Sequence, residues 1–190
     1  MPIPSPFHER TLPLCISYRW KDWAGYSAVS SYDTSHEREY FAFRESAGLL
    51  DVSPLYKYEV TGPDAAALLA RMMVRDVSKL KVGRVAYTCW CDDGGKVIDD
   101  GTVARLAEDH FRVTSADPSL YWLHALSRGF KVGIEDSSAR LGALALQGPR
   151  SRAILEAATG ANLDQLKFFG VQTATIGSTA IWISRTGYTG

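Results

Sequence analysis

Two consecutive aspartates, Asp99 and Asp100, are the sharpest chemical signal in the chain, set among Val97, Ile98, Thr102 and Val103. Aspartate is disfavoured inside strands. Consecutive strand residues face opposite ways, so at least one carboxylate turns toward whatever the sheet covers. A carboxylate there is costly unless a positive or hydrogen-bonding group meets it. The pair therefore points to an acid, a base or the partner of a cation. The same pattern is also met by an edge strand with both acids in water, or paired with Arg84 or Arg105. Tyr87, on the preceding strand, reaches across to the same neighbourhood, although an ordinary strand aromatic has the same look. Tyr188 sits in Gly187-Tyr188-Thr189-Gly190. An aromatic on so close-fitting a backbone suits a planar ligand, and simple turn chemistry accounts for the glycines equally well. Arg112 alternates with Phe111 and Val113 and reads as solvated charge.

Other chemistries lack their residues. Cys89 and Cys91, two apart on a strand, face one way and read as plain strand thiols. His8, His36, His110 and His124 show no ligand spacing to join them, so no metal site is expected. The three cysteines make no disulfide framework. No Ser–His–Asp or Cys–His arrangement follows from order or spacing, and neither phosphate-loop motif, GxGxxG or GxxxxGK[ST], is present.

Composition bounds the class. Apolar residues are 46% of the 190, enough for a sizeable core. Acids and bases balance at 21 each, which speaks against a nucleic-acid partner. No apolar run approaches the roughly 18–20 residues of a membrane span. The first residues carry neither a signal-peptide core nor the look of a transit peptide, so a cytoplasmic protein is expected.

The elements that must position the acids follow from periodicity. Residues 1–35 read as an irregular arm packed by Trp20, Trp23 and Tyr26. A helix is expected over 35–45, capped by Ser35, with Tyr40, Phe41 and Phe43 as its apolar face and Gly48 as its stop. Residues 55–61 alternate as a half-buried strand, Tyr56, Tyr58 and Val60 against Lys57 and Glu59. Gly62-Pro63 then opens a helix carrying Ala66, Leu69, Met72 and Met73. The same strand–Gly-Pro–helix order recurs at Gly148-Pro149, a supersecondary echo. Between the copies lie strands at 84–91, 96–106 and 110–115, with an Asp-Gly turn at 92–95, then a helix from Pro118 to Ser127 and a strand at 131–134. A last hairpin joins 171–176 to 179–184. Runs of adjacent strands with few helices predict an antiparallel α+β fold. The chain stops within a turn at Gly190, which is expected of a fragment of a longer protein.

The motifs in order resemble a known family. Ala47-Gly48-Leu49-Leu50-Asp51-Val52-Ser53, Tyr58-Glu59-Val60-Thr61-Gly62-Pro63-Asp64-Ala65, Gly94-Gly95-Lys96-Val97-Ile98-Asp99-Asp100, Leu146-Gln147-Gly148-Pro149, Phe168-Phe169-Gly170 and Arg185-Thr186-Gly187-Tyr188-Thr189-Gly190 are similar to landmarks of the aminomethyltransferase (glycine cleavage T-protein) folate-binding domain. The resemblance implies that fold, ending before its C-terminal barrel, with residues 53–139 as an antiparallel subdomain inserted between 1–52 and 140–190. It implies tetrahydrofolate as cofactor, Asp100 as the catalytic carboxylate, and Leu55, Tyr87, Asp100, Thr114 and Tyr188 as cofactor-binding residues around an enclosed cavity. A lipoylated carrier protein is the implied partner and methylene donor, with ammonia released. Pro54-Leu55 departs from the family's usual His-Met, and Arg112, Thr114 and Ala116 replace its Tyr, Val and Asn. Thr102 to Leu106 is more similar to the folate domains of dimethylglycine- and sarcosine-oxidising enzymes. A folate-dependent demethylase of a methylated amine, sulfonium or aryl ether is the alternative. A folate-binding iron–sulfur assembly factor is a third reading, but the late turn lacks that branch's Cys.

Overall fold

In the computed structural model, which describes residues 1–187, the organising element is a five-stranded antiparallel sheet in the order β6-β7-β8-β5-β9. Its strands are β5 (Tyr56–Thr61), β6 (Arg84–Cys91), β7 (Val97–Ala107), β8 (His110–Ser115) and β9 (Gly133–Asp136). The β6–β7 hairpin closes where Asp92 Oδ1 accepts from the amides of Gly94 and Lys96, each at 2.9 Å, with Gly95 at φ +77. Such an aspartate-anchored turn needs a residue free to take positive φ, which glycine supplies.

One face of this sheet carries the core. Tyr58, Val60, Ala86, Trp90, Val103, Phe111 and Val113 are buried against helix α3 (Ala65–Met72) and helix α4 (Leu120–Leu126). Helix α3 buries Ala65, Leu68, Leu69 and Met72, the i, i+3, i+4, i+7 stripe of a helix lying on a sheet. Leu69, Met72 and Met73 of the expected face are buried in the core, Met73 from extended backbone just beyond the helix, while Ala66 is only partly buried and Ala65 and Leu68 complete the stripe. Each fully buried leucine contributes about 1.5–3 kcal/mol.

Strand β5 is not half-buried as its alternation suggested. Lys57, on the face away from the core, is 3% exposed. Its Nζ donates to the carbonyls of Ser53 (2.8 Å) and Leu55 (2.6 Å), so the connection before β5 folds back over it. Burial pulls the Lys57 pKa down, with Asp136 and Asp51 opposing the shift.

The flanking segments differ more from expectation. The first 35 residues form ordered elements: β1 (Ile3–Pro4), a short helix α1 (His8–Thr11), β2 (Arg19–Trp23) and β3 (Tyr26–Ser31), the strands pairing in the order β1-β3-β2. Helix α2 (His36–Glu45) starts at Ser35, whose side chain caps the Glu37 amide. Its Tyr40 and Phe41 are exposed, and Gly48 is not its stop. Gly48 instead opens strand β4 (Gly48–Asp51), where a Cβ would lie 2.3 Å from the Phe43 ring. Strand β4 pairs with β10 (Leu144–Gln147), followed by helix α5 (Ser151–Thr159), and β11 (Val171–Ile176) pairs with β12 (Thr179–Ser184).

The echo between the two Gly-Pro sites is conformational. Gly62 has φ +116 and Gly148 φ +122, and a Cβ would meet the Lys131 carbonyl at 2.5 Å or the Ser46 carbonyl at 2.6 Å. In both copies the proline precedes the N-cap (Asp64, Arg150) rather than opening the helix. Both turns need glycine because of positive φ and a backbone pressed against them.

Candidate functional site

Strand parity assigns the two aspartates different work. Asp99 lies on the buried side, 7% exposed, and its Oδ2 accepts the Asp117 amide at 3.0 Å. It clips the 116–119 connection, where Ser119 precedes α4 and its amide donates to the Tyr58 hydroxyl at 2.9 Å. Asp100 points to the opposite face and is exposed. It sits across from Cys89 on β6, and the Tyr87 hydroxyl donates to its Oδ2. That hydrogen bond, and then the charge of Asp100, raise the Tyr87 pKa. The phenol therefore stays protonated and remains a donor to the carboxylate.

Neither arginine proposed as a partner for the acids takes that role. Arg84 donates to the Phe168 carbonyl at 2.9 Å, and Arg105 reaches the Leu80 carbonyl and Glu108. Arg112 is not simple solvated charge. Its Nε donates to Glu59 Oε1 at 2.6 Å, and Glu59 also meets His110 at 2.6 Å and the Ser137 hydroxyl at 3.2 Å. Lys57 and Glu59 were not singled out for this role. The alternation carried no signal for it, since two charges opposite an apolar face are also what a solvent-facing strand shows.

The structure brings Tyr87 and Asp100 into contact. Thr114 lies on the same face, half-buried, paired with Thr102 on β7 and with Lys57 on β5. Leu55 is half-buried at the connection that Lys57 holds. Tyr188 lies outside the described residues. Asp100, expected inside an enclosed cavity, is exposed with Tyr87 at the β6–β7 end of this face, whereas Lys57 at its β5 end is covered. The helices that cover this sheet lie on its other side.

Two hollows line the surface nearby. One, of about 460 Å³, is formed by Val74, Arg75, Tyr87, Thr88 and Cys89 beside the Tyr87–Asp100 pair. Another, of about 520 Å³, lies at the β4–β10 end of the chain, with Phe43, Gly148, Pro149 and Phe168 in its walls. The bulge between Trp90 and Cys91 interrupts the strand register, but the two thiols stay neighbours: burial, then Cys89, push the Cys91 thiol up. Among the described residues no three His, Cys, Asp or Glu side chains gather as metal ligands would. No helix among them is long and apolar enough to cross a membrane.

Sheet, helices and exposed acid together define an α+β domain of a recognisable class. Over its whole length the chain superposes on the glycine cleavage system aminomethyltransferase T from Bartonella henselae, with a TM-score of 0.85 and 26% identity, covering 51% of that chain. A heterotetrameric sarcosine oxidase from Corynebacterium sp. U-96 shares the fold, with a TM-score of 0.62 at 17% identity. Residues 15–190 match the family described as the GCVT N-terminal domain, and the chain belongs to that family. It is 36% identical over 190 residues to an aminomethyltransferase of Thermus thermophilus, covering 98% of this chain and 54% of that one. It is 38% identical over 173 residues to the aminomethyltransferase of Streptomyces coelicolor, covering 89% of this chain and 46% of that one. The chain spans about half the length of the curated relatives it matches.

Proposed function

We infer that this chain is the folate-binding part of a one-carbon transferase that moves a methylene group from an aminomethyl-lipoyl carrier protein to tetrahydrofolate, releasing ammonia. The observation that carries the reading is the carboxylate of Asp100, exposed at the β6–β7 end of the sheet face and oriented by Tyr87, in a chain of this family. The donor set fits the ligand. One Asp100 oxygen is taken by the Tyr87 hydroxyl and the other is engaged by no group among the described residues, leaving it to accept an N–H. The exposed Tyr87 ring beside it offers a flat surface to a planar ring.

Bound tetrahydrofolate supplies the amine that accepts the one-carbon unit. Asp100 holds that amine through its free oxygen and places a fixed negative charge where positive charge develops during transfer. A preorganised charge costs no reorganisation at that moment, and removing one such group typically costs about 10²–10³ in rate. Tyr87 keeps the carboxylate from turning away. Lys57 ties down the connection bearing Leu55, so that wall position is set by the same sheet.

The test uses the full-length protein with tetrahydrofolate and aminomethyl-lipoyl carrier, following formation of 5,10-methylenetetrahydrofolate. Asp100→Asn is expected to lower turnover by about 10²–10³ while tetrahydrofolate still binds. Normal turnover in that variant would remove Asp100 from the mechanism. A folate product formed from small methylated amines, and none from the carrier, would replace this reading with a demethylase.

A further inference from the structure

Two thiols on the face of Asp100 take no part in the transfer described above. Cys89 and Cys91 are free, half-buried and two apart on β6. Cys89 stands directly across from Asp100 on β7. At the bulge it is Ile98 of β7 that is passed over, since Trp90 pairs with Asp99 and Cys91 with Val97. Strand β6 therefore keeps its alternation, and Tyr87, Cys89 and Cys91 share one face. Cys89 also lines the hollow of about 460 Å³ with Val74 and Tyr87, so a reagent reaches it from solvent. Cys15, by contrast, is 3% exposed.

Strand geometry decides what such a pair can hold. Alternate residues of a strand are about 6.6 Å apart, with parallel side chains. A disulfide needs Cβ atoms about 3.5–4.5 Å apart, so closing one here would break the ladder that carries Asp100. A single atom bonded to both sulfurs at about 2.3 Å needs them only roughly 3.5 Å apart, which two side chains leaning together provide. The thiols already interact: burial first, then the charge of Cys89 and a hydrogen bond with it, raise the Cys91 pKa.

Two further facts narrow the bridging atom. Among the described residues no third His, Cys, Asp or Glu joins the pair as a metal ligand would, so the centre has to be satisfied by two sulfurs. A divalent cation would also have to drive a proton from each thiol, which the raised Cys91 pKa opposes. A monosubstituted trivalent arsenic oxide has neither requirement. Two As–S bonds form, the arsenic–oxygen double bond and two S–H bonds break, and one water leaves with both hydrogens. No oxidation state changes.

We propose that Cys89 and Cys91 form a dithiol site for monosubstituted trivalent arsenicals, whose occupant stands against Tyr87 and Asp100. Directly opposed strand residues are about 4.5–5.5 Å apart at Cβ, so an organic group on the arsenic reaches the acid. The site stands on the strand alone, and only its effect on turnover rests on the transferase reading above.

The full-length protein is titrated with phenylarsine oxide and the adduct located by peptide mass spectrometry. One phenylarsine is expected across Cys89 and Cys91, retained in excess glutathione and removed by dithiothreitol. Cys89→Ser and Cys91→Ser should each weaken binding there by about 10² or more, because the second bond is intramolecular. An adduct that glutathione strips from the unmodified protein, or a single-thiol variant that binds as tightly, overturns the site. Its placement is read from the near-ultraviolet difference spectrum on binding, whose tyrosine band should vanish in Tyr87→Phe; a band that survives overturns the placement. Binding with that signature and undiminished formation of 5,10-methylenetetrahydrofolate would remove Asp100 from transfer and leave the dithiol site standing.

Discussion

A methyl group on Gly101 tests the placement of the acid from its immediate neighbour. An ideal Cβ there would lie 1.9 Å from the Thr114 carbonyl oxygen, 3.0 Å from the Thr114 carbonyl carbon and 3.3 Å from the Ser115 Cα. The backbone at Gly101 is not left-handed, so the cost of an alanine is this contact and not torsional strain. Strand β7 must retreat from β8 by about 1 Å merely to bring the closest approach to 3.0 Å, a distance real Cβ atoms hardly ever go below. Strand β8 cannot yield, because Thr114 and Ser115 pair on their other side with Lys57 and Tyr56, and the Ser115 hydroxyl is tied to the Asp117 carbonyl at 2.9 Å. The pairing of Gly101 with Ser115 and of Thr102 with Thr114 is therefore stretched. Each ladder hydrogen bond is worth about 0.5–1.5 kcal/mol, and Val103, fully buried two residues on, shifts with them. We expect Gly101→Ala to destabilise by about 3 kcal/mol, lowering Tm by about 6–12 °C for a chain of this size. Turnover should fall further than the loss of folded protein accounts for, because Asp100 is drawn away from Tyr87. Gly94→Ala in the same hairpin is the control: its Cβ would meet only the Asp92 carboxylate, at 3.2 Å, so it should cost about 1 kcal/mol or less. A Gly101→Ala protein that melts within about 2 °C of the unmodified chain would refute the close approach and, with it, the positioning of Asp100.

The raised pKa of Tyr87 comes first from its hydrogen bond to Asp100 and then from that charge. Alkaline difference spectra at the phenolate band, unmodified protein minus Asp100→Asn, should show one tyrosine titrating later in the unmodified protein; identical curves would deny the contact. Lys57 has its pKa lowered by burial from the ordinary 10.5. Its burial therefore weakens the fold most below its folded-state pKa, and the penalty is relieved as pH rises toward 10.5. The neutral amine still has two protons for the Ser53 and Leu55 carbonyls. Relative to Lys57→Met, the unmodified protein should gain stability as pH rises toward that value, read from paired thermal melts; a pH-independent difference would contradict a buried, charge-destabilised lysine.

Much of the central sheet was legible because its causes are local. Strands β6 and β8 and the β11–β12 hairpin fall where alternation and turn residues place them, since a period of two and a glycine-bearing turn act over a few residues. Ser35 caps its helix for the same reason. On helix α3 the expected Leu69, Met72 and Met73 are buried, but Ala65 and Leu68 rather than Ala66 complete the stripe, a choice among apolar neighbours that only the sheet beneath makes. Strands β1, β2, β3 and β4 were missed because their pairing lies outside their own pattern: β4 finds β10 almost a hundred residues later, and the arm's strands mix polar and aromatic residues without a period.

The candidate site divides along the same line. Sequence alone nominated the Asp99–Asp100 pair, because two carboxylates in a strand contradict the propensity of their surroundings, and it nominated the tyrosine across the hairpin. It could not say which acid was free. That was decided when α3 and α4 covered one face of the sheet, turning Asp99 into a clip for the Asp117 amide and leaving Asp100 to Tyr87. Glu59 was joined to Arg112, His110 and Ser137 through contacts between segments distant in the chain. Periodicity specifies that neighbouring side chains point apart, but which side meets water depends on what the rest of the chain packs against it.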